Sequence, residues 1–386
     1  ALATVEQERE AEVPTHLKDA SRDREGFGHG EGYLYPHAYR DHWVAQQYLP
    51  ASLQGKVFYE PSEQGYEKTI KERVARRREA QLAAMLEAEA LAPPEILTAS
   101  PRDRARDLWL QRVISGVSVQ LSHVRDQVFA SLTLLPHYLV LDLNAGSGLL
   151  TWEVLRRTRE GGVWALAADD ETAQALRQQA GRLPELERPI ILVGTVEDLP
   201  ALLAAREESD VRFDAIVGRN ALTRVRDKPA IARLLAASLR PGGHLSLAEV
   251  IPRHTQRLYR LLRLDELPPD LRERLVAVEE AIYADEADPM VNWDVADLRE
   301  ALAGAGLEVS LATETLTSQM RIGQGLLARW FAEEQESERP TYAQRLRAYL
   351  AEAEIAAVRE LFLRQLLDGT VNWQTLVAFV AGKKAA

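Results

Sequence analysis

The chain of 386 residues contains no cysteine. That absence removes a disulfide framework, a thiolate-ligated zinc or iron–sulfur centre, and a cysteine nucleophile. It fits a reducing compartment, and a cytoplasmic location is expected. No run of about 18 apolar residues occurs, so no membrane-spanning helix is expected. The stretch Ala1–Glu12 is acidic and polar, unlike the basic start and apolar middle of a secretory signal. It also lacks an initiating Met, so Ala1 is expected to lie inside a longer protein. An excess of basic charge is missing too: 47 Lys and Arg face 58 Asp and Glu, for a net charge of -11. That balance argues against a broad electrostatic grip on nucleic acid.

What is present is ordinary for a soluble globular protein, with 46% hydrophobic and 27% charged residues. The length suggests about two or three domains. Residues 1–92 hold four of the eight His (His16, His29, His37, His42) and six of the eleven Tyr. Gly and Pro punctuate the part from Gly26 to Gly65, which reads as an irregular arm. The four His lack tight ligand spacing, so no metal site is expected. From Glu67 to Leu91 the chain reads as a helix, ended by Pro93–Pro94. Its basic cluster, Lys68 to Arg78, is interrupted by Glu72 and reads as a solvated face with i,i+4 pairs. A second long helix is predicted from Asp103 to about Leu134.

From Tyr138 onward the pattern alternates between strands and helices. Strands are predicted at Tyr138–Asn144, Val163–Ala168, Ile190–Gly194, Phe213–Gly218, His244–Ile251, Leu307–Leu316 and Gln374–Val380. Helices fit between the first five, and further helices are predicted at Val295–Ala305, Gly323–Glu334 and Tyr342–Leu366. Near-continuous apolar strands separated by helices indicate an α/β fold with a mostly parallel sheet covered on both faces.

The most informative segment is Asp142-Leu-Asn144-Ala-Gly146-Ser-Gly148-Leu-Leu-Thr151, a strand running through a glycine turn into a helix. Glycines there allow close backbone approach, and the free N–H groups of a helix start favour an electronegative group. A dinucleotide fingerprint needs a third Gly where Thr151 stands, and no phosphate-binding G-x-x-x-x-G-K-[ST] sequence occurs. The segment resembles the D-x-G-x-G-x-G turn of class I S-adenosylmethionine-dependent methyltransferases, with Asn144 replacing the first Gly. Phe213–Leu222, the Leu239-Arg-Pro-Gly-Gly turn, Asn292–Val309 and Val371–Lys383 resemble later parts of the same family. The resemblance covers residues 138–386 and implies a Rossmann-like seven-stranded sheet with an antiparallel last strand.

It also implies roles. Asp142 would face the methionine moiety of S-adenosylmethionine, with Asn144, Gly146 and Gly148 forming the close loop. An acid after the second strand would hold the ribose. Asp169 is the preferred candidate, whereas a register one or two residues shorter would put Ala167 or Ala168 there. Thr195 or Glu197 would stand in for the family's adenine-binding Asp. Arg219 and Asn220 occupy the usual acceptor position after the fourth strand. Glu249, after the fifth, is either acceptor-facing or a solvated strand-end charge. No catalytic base is identifiable, and cysteine-dependent C5 methylation of cytosine is excluded. The competing expectation is a retired methyltransferase fold that acts as an assembly or interaction module.

A second resemblance lies in Val13-Pro-Thr-His16-Leu-Lys-Asp-Ala20, Gly32-Tyr-Leu-Tyr35-Pro36-His37, Gln46-Gln-Tyr-Leu-Pro50 and Phe58-Tyr-Glu-Pro61. These blocks are similar to the carboxyl end of the replication-associated recombination protein A (MgsA, Werner-interacting) family of AAA+ ATPases. The resemblance implies a homotetramer acting at replication and repair sites, with DNA reached through an upstream ATPase module. The expected organisation is therefore an ATPase tail at 1–92, a helical connector at 93–137 and a methyltransferase-like domain at 138–386.

Overall fold

The computed structural model describes residues 57–86, 117–333 and 339–386. The His-rich arm and most of the expected connector lie outside the described residues.

Helix α1 spans Gly65–Leu86 and α2 spans Val117–Ala130. The sheet strands are β1 Leu139–Asp142, β2 Gly162–Ala167, β3 Ile190–Val193, β4 Phe213–Arg219, β5 Leu239–Val250, β6 Leu307–Arg321 and β7 Thr370–Lys384. Between them run α3 Leu149–Arg157, α4 Asp170–Ala180, α5 Leu199–Ala204, α6 Lys228–Ser238, α7 Pro269–Ile282, α8 Val295–Gly304, α9 Gln324–Trp330, α10 Tyr342–Leu346 and α11 Glu352–Leu366.

The strands form one sheet in the order β3-β2-β1-β4-β5-β7-β6. β1 to β5 are parallel neighbours, and β7 enters antiparallel between β5 and β6. This is the Rossmann-like seven-stranded α/β architecture that the second half of the sequence implied. One face is covered by α5, α6 and α8 through Leu203, Leu235 and Leu298. The other is covered by α1, α2 and α3 through Ala83, Val124 and Val154. The small residues Ala80, Ala83 and Ala84 are buried and let α1 lie close to α2.

A third apolar cluster is helical. It gathers α7, α9, α10 and α11 around Tyr283, Trp330, Tyr342 and Phe362, and seats them on Met320 and Trp373 of the β6–β7 hairpin. The hairpin is longer than its apolar alternation suggests. Its ladder runs from Leu307↔Lys384 to Arg321↔Thr370, whereas β5 accompanies β7 only as far as Val250↔Val377. Residues 317–321 are mostly polar, so periodicity stopped at Leu316, yet mutual pairing satisfies their backbone groups.

Two further expectations are corrected. The predicted helix Tyr342–Leu366 is two helices, because Leu346 and Leu350 both turn into the helical core and Ala351 is extended. The Glu354 carboxylate accepts from the Ala351 N–H at 2.9 Å and starts α11 afresh. β5 begins at Leu239 rather than His244, with a register irregularity opposite Phe213 and Ala215 that absorbs the Pro-Gly-Gly turn. Among the described residues, no helix is long and apolar enough to cross a membrane.

Candidate functional site

β1 is a short buried strand whose last residue, Asp142, is fully buried. Thr151 Oγ1 donates to its Oδ2 at 2.7 Å, while Oδ1 has no hydrogen-bond partner among the described residues. Burial pushes the Asp142 carboxyl up to about 6, against the opposing hydrogen bonds from Thr151 and from the Asn144 amide. The next residues turn tightly: Gly146 has φ 49° and Gly148 φ 85°. Gly148 caps α3 in the left-handed conformation. Asn144 Nδ2 donates to the Arg219 carbonyl at 2.9 Å and ties this loop to the end of β4.

Gly148 is needed by the interior. A Cβ there would lie 2.2 Å from Trp152 Nε1 and 3.0 Å from Leu176 Cδ2. The Trp152 indole is buried in a cluster with Ala145, Ala165, Ala167, Ala173 and Leu176, and its N–H donates to the Ser147 carbonyl at 3.3 Å. Four alanines make room for one indole. Gly148→Ala therefore combines a left-handed backbone with a clash in a packed interior. A loss of about 3 kcal/mol is expected in urea unfolding, and a loss below about 1 kcal/mol would mean that the indole moves aside freely.

The other positions to which the resemblance assigns cofactor roles are dispersed along the carboxyl ends of β2 and β3. β2 ends at Ala167, whose carbonyl accepts from Gly194 N at 2.9 Å. Asp169 is exposed and lies two residues further on. It is the N-cap of α4, its Oδ1 accepting from Thr172 N at 2.7 Å. Thr195 starts a capping box. Its N–H and its hydroxyl both donate to Asp198 Oδ2 at 2.8 Å. Glu197 is exposed beside it.

The acceptor-side positions do come together. Asn220 has φ 52°, and its Oδ1 accepts from Val250 N at 3.0 Å, bridging the ends of β4 and β5. Glu249 is fully buried, which overturns the solvated reading. Its carboxylate accepts from Ala221 N (2.8 Å), Leu222 N (3.1 Å) and Thr223 Oγ1 (2.9 Å), and so fixes the loop after β4. Burial raises this carboxyl to about 7 despite those donors and the nearby Lys228. Lys228 is buried as well. Its ammonium donates to the Val225 carbonyl at 2.8 Å, sits 4.4 Å from the centre of the Trp293 ring, and is brought down to about 8 by desolvation. Burial lowers the Arg219 guanidinium to about 10, with Glu249 opposing.

The sequence reading missed a network on the far side of the glycine loop. Glu153, one turn into α3, is buried and receives Arg76 Nε from α1 at 3.1 Å, Arg156 Nη2 at 2.7 Å and Arg157 Nε at 2.9 Å. Arg156 also forms a two-pronged pair with Glu79 of α1, both contacts at 2.6 Å. Burial alone would raise the Glu153 carboxyl, but the three guanidiniums outweigh it and hold it at about 2. Arg76 is thus not simply part of a solvated face. Its i,i+4 contact to Glu72 spans 3.9 Å, longer than its contact to Glu153. The sequence signal was a Glu on the apolar face of α3 with Arg156 and Arg157 three and four residues on, and nothing local names its distant partner Arg76.

Among the described residues, no group of three or more His, Asp or Glu is placed to hold a metal ion.

Comparison with known proteins concerns two different stretches. Residues 1–78 match the family model described as MgsA AAA+ ATPase C terminal. Replication-associated recombination protein A of Bacillus subtilis is 42% identical over 74 residues, 19% of this chain and 18% of that protein. An uncharacterized protein of Thermotoga maritima is 33% identical over 75 residues, 19% of this chain and 12% of its own. The chain thus spans less than a fifth of the length of either curated relative. Among solved structures, the YcgJ protein of Bacillus subtilis is similar with a TM-score of 0.41 at 14% identity, over 68% of this chain and 99% of that one. A mycolic acid cyclopropane synthase complexed with SAH gives 0.39 at 15% identity, over 78% and 98%. The phosphoethanolamine N-methyltransferase 2 of Haemonchus contortus, in complex with S-adenosyl-L-methionine, gives 0.38 at 11% identity, over 74% and 59%.

Proposed function

We propose that the α/β domain is a non-catalytic interaction module, a methyltransferase-type fold fixed to the tail of a replication- and recombination-associated AAA+ ATPase and serving its assembly. The observation that carries this reading is the indole of Trp152, packed where Gly148 and Ala167 leave room beside the end of β2.

The fit to S-adenosylmethionine is uneven. The methionine end is provided for, since Asp142 is buried with one oxygen unpartnered among the described residues and the Gly146–Gly148 turn is close and strained into shape. The nucleoside end is provided for less well. Ala167 brings no carboxylate to the ribose, Asp169 Oδ1 caps α4, Thr195 is paired with Asp198, and Glu197 beside it is exposed to water. Charged partners that stay in water hold a nucleoside less firmly than partners in a desolvated site. On this reading the homotetramer, and any contact with DNA, belong to the parent ATPase, and the buried Arg76–Glu153 network couples that parent to the α/β domain.

A second reading, S-adenosylmethionine-dependent methyl transfer, is favoured by the unpartnered Asp142 oxygen and by Glu249. A carboxyl raised to about 7 suits a general base near neutral pH. One titration separates the two. Calorimetry of the full chain with S-adenosylmethionine and with its demethylated product should give no heat up to about 1 mM. Binding tighter than about 100 μM that Asp142→Ala abolishes would replace the first reading by the second.

A further inference from the structure

The sheet face beneath α8 changes character along the β6–β7 hairpin. Under the helix it is aliphatic, with Leu307, Val309 and Leu311 on β6 and Val380 and Ala378 on β7. Beyond the first turn of α8 the same face carries Thr313, Thr315 and Gln374, with Leu376 paired to Thr315 among them. The strand period of two places these residues in line with the aliphatic ones. They floor a recess of about 430 Å³, within the size range of small-molecule sites. The recess lies past the carboxyl end of β5, on the antiparallel side of the sheet, and none of its lining residues belongs to the glycine loop.

Its walls are basic. The turn Pro252–His254 and the turn Leu258–Leu261 bring His254, Arg257 and Arg260 over the floor. Arg257 is held in place. Its Nε donates to Glu280 at 3.1 Å, its Nη1 and Nη2 donate to the Thr255 and Arg253 carbonyls at 2.9 Å, and its guanidinium stacks 3.7 Å from the Tyr283 ring centre. Arg260 is held more loosely: its Nε donates to the Tyr259 hydroxyl at 3.1 Å, its Nη2 lies 3.9 Å from Glu280 Oε1, and its side chain is 64% exposed. His254 uses Nε2 on Asp294 at 2.9 Å. The two carboxylates at hand are already matched, Asp294 by His254 and by capping α8, and Glu280 by Arg257 and the Tyr259 hydroxyl. Arg260, largely exposed, keeps N–H donors for an arriving anion. The Thr313 and Thr315 hydroxyls make no hydrogen bond among the described residues, so donors and acceptors for a hydroxylated ligand stand ready on the floor.

We propose that this recess binds a small phosphate monoester with a hydroxylated body, such as a sugar phosphate, its phosphate toward Arg260 and His254 and its hydroxyls toward Thr313, Thr315 and Gln374. The pattern suits phosphate because a flexible guanidinium and an imidazole can both reach one tetrahedral anion. It suits a polyol because the floor offers neutral groups that both donate and accept.

Titration of the full chain with ribose 5-phosphate at low ionic strength tests the assignment. Binding in the submillimolar range is expected, with inorganic phosphate at least about tenfold weaker. Arg260→Ala should weaken ribose 5-phosphate about tenfold or more without moving the thermal midpoint, since that side chain is largely exposed. Thr313→Val with Thr315→Val should bring ribose 5-phosphate down toward inorganic phosphate. Asp142→Ala should leave binding unchanged, which separates this recess from the glycine loop. No binding at about 10 mM ribose 5-phosphate, equal binding of the two ligands, or indifference to Arg260→Ala would each overturn the proposal.

Discussion

Glu153→Ala is expected to cost the full chain about 3 kcal/mol and to loosen α1 from the α/β domain. The carboxylate is buried and is the meeting point of three guanidiniums, one of which, Arg76, comes from α1. Its removal leaves Arg156, whose side chain is 18% exposed, with only Glu79 as counter-ion. Arg76→Ala removes a partner whose own side chain is 40% exposed, so it should cost no more than about 1 kcal/mol. Amide hydrogen exchange over Gly65–Leu86 reads the local effect. Faster exchange there, with β1 and β4 unchanged, is the expected pattern. Equal costs for the two substitutions would mean that the network is a surface feature and that α1 is held by its alanines alone.

The second large effect is on pH dependence. Asp142, Glu249 and Glu279 are buried carboxyls raised to about 6, 7 and 7. Between the ordinary values, 3.8 for Asp and 4.5 for Glu, and those raised ones, the unfolded chain has given up protons that the folded chain retains. Stability therefore falls as pH rises through this window, by about 3 kcal/mol for a shift of two units. Glu153 acts in the opposite sense. Its carboxyl is held at about 2, so its contribution is complete above 4.5 and is lost as pH falls from there toward 2. Three falling contributions against one rising one put the maximum below pH 4.5, at about pH 4. Urea unfolding at pH 5 and pH 7.5 should show the higher stability at pH 5, and Glu249→Gln should shrink the difference while leaving the acid limb intact. A flat profile from pH 5 to 7.5 would show that the buried carboxyls ionise without cost.

Much of the fold was legible because it rests on local rules. β1 and the glycine turn follow from an apolar run meeting Gly146 and Gly148, and all seven strands were found in order. Asp169 was legible as an acid, but its role was not. The same residue type serves a ribose or caps a helix, and the structure shows Asp169 capping α4, two residues past the end of β2 at Ala167. Trp152 read as one more apolar residue on a helix, since the alanines that receive it come from three other elements. Arg76 and Glu153 are 77 residues apart, and no periodicity links them. The basic recess was equally hidden, because it joins two turns, a helix start and two strands that are distant in the chain.

The overshoot of the β6–β7 hairpin gives the helical layer its mechanics. Past Val250↔Val377 the ribbon has no ladder partner in β5, and a two-stranded ribbon alone is marginal in water. Trp373 and Met320 near its far end are covered by α9 and its neighbours. The ribbon is thus a cantilever whose root is clamped in the sheet and whose tip is stiffened by the helices it carries. The same continuous hydrogen-bonded beam that carries the helices at its tip carries Thr313 and Thr315 nearer its root, so the helical layer and the floor of the recess share one support.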